Sequence, residues 1–306
     1  MNRKVLIAAA VLTLHAGSPA FAQQAAATPE IAAALVASGQ KTYADAVRFW
    51  RPLAEHGEVT AQYKLGLAYR LGQGVSADNG TAVSWYRKAS DQGYAPAQEK
   101  LAGMYRSGRG VVQDYAEAMA LYLKAAAQNN VLALNNLGYM YGVGQGVPLD
   151  YAAAVGWYRK SADLGHPPAQ YNLGLMYDNG QGVSQDYAAA FIWYLKAAGQ
   201  GYAAAQNNLG FMFRNGQGVA QDNVAAVSWY RKAADQGSAV AQFNLGLMCD
   251  GGIGVKSDVV EAHKWYQLAA VKGDPDAKRG LAIVAARMTP PQIAQAERLA
   301  RAWMAR

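Results

Sequence analysis

Apolar, small and polar residues follow one repeating order along most of this chain. Between Ala169 and Gly180, the residues Ala169, Leu173, Met176 and Tyr177 recur at helical spacing and predict a first helix with one apolar face. Gly180 and Gly182 follow where the chain must reverse, because a residue without a side chain takes a sharp turn at no steric cost. Asp186 then heads a second apolar pattern, Ala190, Trp193, Tyr194 and Ala197, and predicts a second helix capped by a carboxylate. Small Gly174 lets the two helices approach, while Trp193 fills the wider gap.

This phrase returns every 36 residues. Its leucine falls at Leu65, Leu101, Leu137, Leu173, Leu209, Leu245 and Leu281, and its second-helix tyrosine at Tyr86, Tyr122, Tyr158, Tyr194, Tyr230 and Tyr266. A helical pair of this length cannot bury its own apolar face, so neighbours must stack on one another. The period predicts an all-α, alpha-alpha solenoid over residues 41–306: a partial first unit, six 36-residue repeats over about 61–276, and C-terminal capping helices over 277–306. The closing segment through Glu297, Arg298, Arg301 and Arg306 is more polar, which keeps a stack from continuing end to end.

Asp78, Asp114, Asp150, Asp186, Asp222 and Asp258 hold one station in successive repeats. Acids spread in this way do not converge on a substrate as paired catalytic carboxylates must, so they read as helix caps. Glu117 and Glu261, three residues after their aspartates, predict reciprocal capping boxes.

The first residues follow another pattern. Arg3 and Lys4, an apolar run from Val5 to Leu14 and the small-residue ending Ala20-Phe21-Ala22 predict a secretory signal peptide over 1–22. The apolar run is too short for a stable span, and no later segment is apolar enough to anchor the chain. The expected location is therefore periplasmic or secreted, with residues 23–40 as a flexible or partly helical lead-in.

Chemistry-bearing residues are sparse. Cys249 is the single cysteine, so an intramolecular disulfide is excluded, and it takes the station of Tyr69, Tyr105, Tyr141 and Tyr177, which predicts a buried helix position. His15, His56, His166 and His263 stand far apart and read as leader, loop or helix residues exposed to solvent, not as metal ligands. The glycine pairs follow a helix and lack the Lys-Ser or Lys-Thr ending of a phosphate loop. No catalytic, cofactor-binding or metal-binding residue is assigned. The formal charge of +7 falls to +5 without Arg3 and Lys4. Arg87, Lys88, Lys124, Arg159, Lys160, Lys196, Arg231 and Lys232 recur on second helices and read as a solvated stripe, with attraction to anionic envelope polymers or headgroups as a second reading. Export and the lack of a binding module disfavour nucleic acid.

The phrase A-x-x-x-L-G-x-x-Y-x-x-G-x-G-V, seen at Ala169, Leu173, Gly174, Tyr177, Gly180, Gly182 and Val183, continues through Asp186, Ala190, Trp193, Tyr194, Lys196, Ala197, Ala198 and Gly201. It resembles the Sel-1-like repeat of the tetratricopeptide-like superfamily over residues 41–306. Departures are local: Ala102 for glycine, Leu121 for tryptophan, Asn129 for glycine and Cys249 for tyrosine.

The resemblance implies a right-handed superhelix with first helices on the concave face and second helices on the convex one, and a role as an adaptor in assemblies, not as an enzyme. On that geometry the varying residues line a groove: Tyr63, Lys64, Glu99, Lys100, Asn135, Asn136, Tyr139, Tyr171, Asn172, Asn207, Asn208, Phe211, Phe243 and Asn244. Asparagine carries both donor and acceptor, so the row Asn136, Asn172, Asn208 and Asn244 suits the backbone of an extended peptide, with aromatic anchors beside it. The same asparagines could instead bond between repeats and hold the superhelix pitch. A cell-wall or exopolysaccharide glycan is the alternative ligand. Hydrolysis of cell-wall material or a beta-lactam is a distant third, without a usable serine-lysine motif to support it. The sequence leaves the oligomeric state open.

Overall fold

The computed structural model describes residues 42–305, so the leader over 1–22, the segment 23–40, residue 41 and Arg306 lie outside the described part. The described residues form fifteen α-helices and no strand. They are α1 (Tyr43–Glu55), α2 (Val59–Leu71), α3 (Asn79–Asp91), α4 (Ala95–Ser107), α5 (Tyr115–Ala126), α6 (Val131–Val143), α7 (Tyr151–Asp163) and α8 (Pro167–Asn179). There follow α9 (Tyr187–Gly199), α10 (Ala203–Asn215), α11 (Asn223–Asp235), α12 (Ala239–Gly251), α13 (Val259–Val271), α14 (Pro275–Ala285) and α15 (Pro290–Met304).

The helices group into two compact units, one ending at Asn130 and one beginning at Val131. In the first, α1 to α5 pack each on the next. In the second, α6 to α14 do the same, and α15 returns to pack on α13. Each unit is thus an array of stacked helical pairs, as the 36-residue period predicts.

Glycine and tyrosine set the spacing inside a pair. A Cβ at Gly174 would lie 2.6 Å from the ring of Tyr194, and one at Gly138, Gly210 or Gly246 would lie 2.6 to 2.7 Å from Tyr158, Tyr230 or Tyr266. No side chain fits there without moving the ring, and these tyrosines are almost wholly buried. The turn glycines act differently: Gly180 ends α8 in the left-handed region at φ 65°, and a Cβ at Gly182 would meet the backbone carbonyl of Tyr151 at 2.3 Å. Asn129, the residue that replaces a glycine, also takes positive φ (59°), a conformation asparagine tolerates.

The six repeated aspartates are N-caps, each accepting from backbone N–H groups in the first turn of its helix. The reciprocal boxes expected at Asp114 and Asp258 do not close, because the N–H of each aspartate donates instead to the carbonyl of Tyr105 or Cys249. The Glu261 carboxylate instead accepts from Lys264 and from Trp265 Nε1 at 3.0 Å. The returning arm of such a box occurs at α15, where Gln292 Oε1 accepts from the Thr289 N–H at 2.8 Å.

A second seam, absent from the sequence reading, joins consecutive elements through glutamine. Gln62, Gln98, Gln170, Gln206 and Gln242 are buried, and each side-chain amide donates to a carbonyl of the preceding helix. The side-chain oxygens of Gln62, Gln98, Gln170 and Gln206 accept from Gln92, Gln128, Gln200 and Gln236, at 2.7 to 3.0 Å. Gln92, Gln128 and Gln200 also reach back to the carbonyls of Gly57, Gly93 and Gly165. In the repeat of α6 and α7 both stations are leucine, Leu134 and Leu164. At the end of the array Lys272 replaces the exposed glutamine and donates to the Gly237 carbonyl. There Trp303 of α15 packs edge-on against Trp265 at 6.4 Å, closing the apolar end of the stack.

Candidate functional site

The second unit carries the polar row on its first helices α6, α8, α10 and α12. Asn172 Nδ2 donates to Asn135 Oδ1 at 3.1 Å, and Asn244 Nδ2 donates to Asn207 Oδ1 at 3.0 Å. Side-chain bonds therefore run from α6 to α8 and from α10 to α12. The asparagines do bond between repeats, and the Asn172 and Asn244 oxygens keep acceptor capacity on a half-buried face.

Aromatic residues of the row are tied to the core behind it. Tyr171 packs on Tyr194 at 5.7 Å and on Tyr202 at 5.3 Å, and burial pushes its phenol well above the usual range. Burial likewise raises Tyr194, which donates to Asp178 at 3.2 Å. Phe243 packs on Tyr266 at 5.8 Å. Phe211, Tyr139 and Asn136 are half-buried on the same helices.

In the first unit the matching stations differ. Tyr63 is 3% exposed, clamped between Tyr86 and Tyr94, so its ring belongs to the core. Glu99 is also buried, paired with Lys100 at 2.9 Å, while the Lys64 ammonium lies 5.7 Å from the Trp50 ring centre. The amide row is a feature of the second unit.

The basic stripe on second helices is more engaged than a solvated face. Lys88, Lys160, Lys196 and Lys232 each lie 4.0 to 4.4 Å over the tryptophan three residues earlier, Trp85, Trp157, Trp193 and Trp229. Arg51, Arg87 and Arg159 donate to the phenol oxygens of Tyr69, Tyr105 and Tyr177 in the following repeat. These cations hold rings in place while keeping contact with water.

Two clefts open where the phrase loses an aromatic ring. One of about 370 Å³ has Leu121 in its wall, and one of about 470 Å³ has Cys249 in its wall. The Cys249 thiol is buried and burial raises it to about 11, so it stays protonated at neutral pH. Of the histidines, His56 bonds the Pro52 carbonyl at 2.7 Å and His166 meets Ser161 at 3.3 Å. His263 departs from expectation: it is buried on α13, and burial holds its ring below the usual histidine range. Among the described residues no group of three His, Cys, Asp or Glu could hold a metal ion. Among them no helix is long and apolar enough to cross a membrane.

The fold and this face define a helical-repeat scaffold of the protein-interaction class. The model of the Sel1 repeat matches six consecutive segments, 59–94, 95–130, 131–166, 167–202, 203–238 and 239–274, and the chain belongs to that family. Among solved structures, a Sel1 repeat protein from Oxalobacter formigenes is 30% identical with a TM-score of 0.70, over 79% of this chain and 97% of the other. The protective antigen c5321 of uropathogenic Escherichia coli is 32% identical with a TM-score of 0.54, over 87% of this chain; the match spans 65% of the antigen's length. No curated protein matches the chain.

Proposed function

We propose that the protein is an exported adaptor that binds an extended segment of a protein partner along the first-helix face of residues 131–305. The observation that carries this reading is the pair of inter-repeat asparagine bonds, Asn172 to Asn135 and Asn244 to Asn207. These bonds hold the amides in fixed orientation before a partner arrives, which lowers the ordering cost of binding. Free amide valences suit a peptide backbone, and Tyr139 and Phe211 add apolar contact. Export rests on the leader pattern of residues 1–22. The likeness to a protective antigen is in keeping with export to the periplasm or beyond.

The test is quantitative capture from envelope extract on residues 23–306, beside Asn172→Ala/Asn244→Ala, with soluble glycans as competitors. Loss of a protein partner by the folded double variant supports the reading. Equal capture by both chains contradicts it, and competition by a glycan replaces the peptide with a carbohydrate.

A further inference from the structure

One pattern on the second helices breaks at a single arginine of the second unit. Arg51, Arg87 and Arg159 each donate to the phenol oxygen of the residue 18 positions later. Arg231 holds the same station, but the residue 18 positions later is Cys249. Among the described residues Arg231 makes no hydrogen bond or ion pair. It stands exposed at the cleft of about 470 Å³, whose wall also includes Val255, Val259, Val260 and Gln292.

The charges around the cleft separate by whether they are already engaged. Glu261 accepts from Lys264 and Trp265, and Asp258 caps α13. The guanidinium of Arg231 and the ammonium of Lys256, which also lines the cleft, are not engaged in this way, so the wall offers the valine side chains with cationic donors at its edge, and Arg231 holds the station from which its counterparts reach a phenol. That combination fits an aromatic ring bearing an acceptor oxygen. At the Leu121 cleft the arginine of the matching station, Arg87, already donates to Tyr105.

We propose that the Cys249 cleft binds one phenolic ring, which takes the place of the missing tyrosine and accepts a hydrogen bond from Arg231. The ring comes either from a free small phenol or from a tyrosine side chain of a polypeptide. The site lies on second-helix surface, away from the amide row, and stands independently of the role proposed for that row.

Titration of the mature chain with 4-methylphenol, followed by calorimetry and ligand-observed NMR, tests the proposal. Cys249→Tyr restores the residue found at this station in four other repeats, and Leu121→Trp fills the other cleft in the same manner. The expected result is saturable binding by the native chain and by Leu121→Trp, at least tenfold weaker in Cys249→Tyr. Arg231→Met, or toluene in place of the phenol, should weaken binding by about tenfold, the size of a charge-assisted hydrogen bond. Competition by N-acetyl-tyrosinamide assigns the ring to a polypeptide; its failure beside bound 4-methylphenol assigns it to a free phenol. Equal binding by the native chain and a folded Cys249→Tyr variant, or no saturable binding by the native chain, overturns the proposal.

Discussion

The seam inside each helical pair and the row on the first helices are separated by one or two residues in sequence, yet they behave oppositely. At the seam, Gly174 and Tyr194 form a contact that recurs with the same letters at Gly138/Tyr158, Gly210/Tyr230 and Gly246/Tyr266. On the row, the residue just before the leucine is lysine, lysine, then asparagine four times, and the residue before that is tyrosine, glutamate, asparagine, tyrosine, asparagine and phenylalanine. The seam has one steric solution. The row, half open to water, can change letters while the stack survives. On the proposed function, stability and selectivity fall to neighbouring positions of one helix.

Substitutions can break this contrast in order of expected effect. Tyr194→Ala removes a fully buried ring and should cost ~3–5 kcal/mol in urea unfolding. Gly174→Leu drives a side chain into that ring and should cost about 3 kcal/mol, at the upper end for overpacking. The glutamine seam gives a sharper test. Gln206→Leu alone leaves the Gln236 amide without its side-chain acceptor and the Ala198 carbonyl without a donor, for about 1–2 kcal/mol. Gln206→Leu/Gln236→Leu copies the native Leu134/Leu164 pair and should cost less than the sum of its parts in a double-mutant cycle. Asp186→Ala removes one cap, for ~1 kcal/mol. Asn172→Ala should fall within about 1 kcal/mol in stability, because its lost bond lies on a half-open face. A loss as large as that of Gly174→Leu would erase the distinction between seam and row.

Most of the architecture was legible because repetition marks packing. Leu173, Gly174, Gly180, Asp186 and Tyr194 announce a turn, a cap and a close approach by returning at fixed spacing. The capping boxes at Asp114 and Asp258 misled because each aspartate N–H donates to a carbonyl outside its own helix, that of Tyr105 or Cys249. His263 misled for a similar reason: α13 is covered by α15, whose return onto it leaves no mark in the period. The glutamine seam was readable and missed. Its signal is the paired change from Gln98/Gln128 to Leu134/Leu164 and back to Gln170/Gln200, two stations 30 residues apart that switch together. For the site, the sequence located the asparagines but not their mutual bonds, which depend on the rise from one first helix to the next. It also placed Tyr63 in the groove, where ring contacts with Tyr86 and Tyr94 draw it into the core.

The most direct test of the first-helix face is site-specific photocrosslinking of the captured partner. A benzophenone side chain is placed at Phe211, half-buried on α10, and in a separate chain at Ile192, 53% exposed on α9. The account predicts a partner crosslink from position 211 that disappears in the Asn172→Ala/Asn244→Ala background, and none from position 192. Crosslinking from position 192 alone would contradict it and place the partner on the second helices.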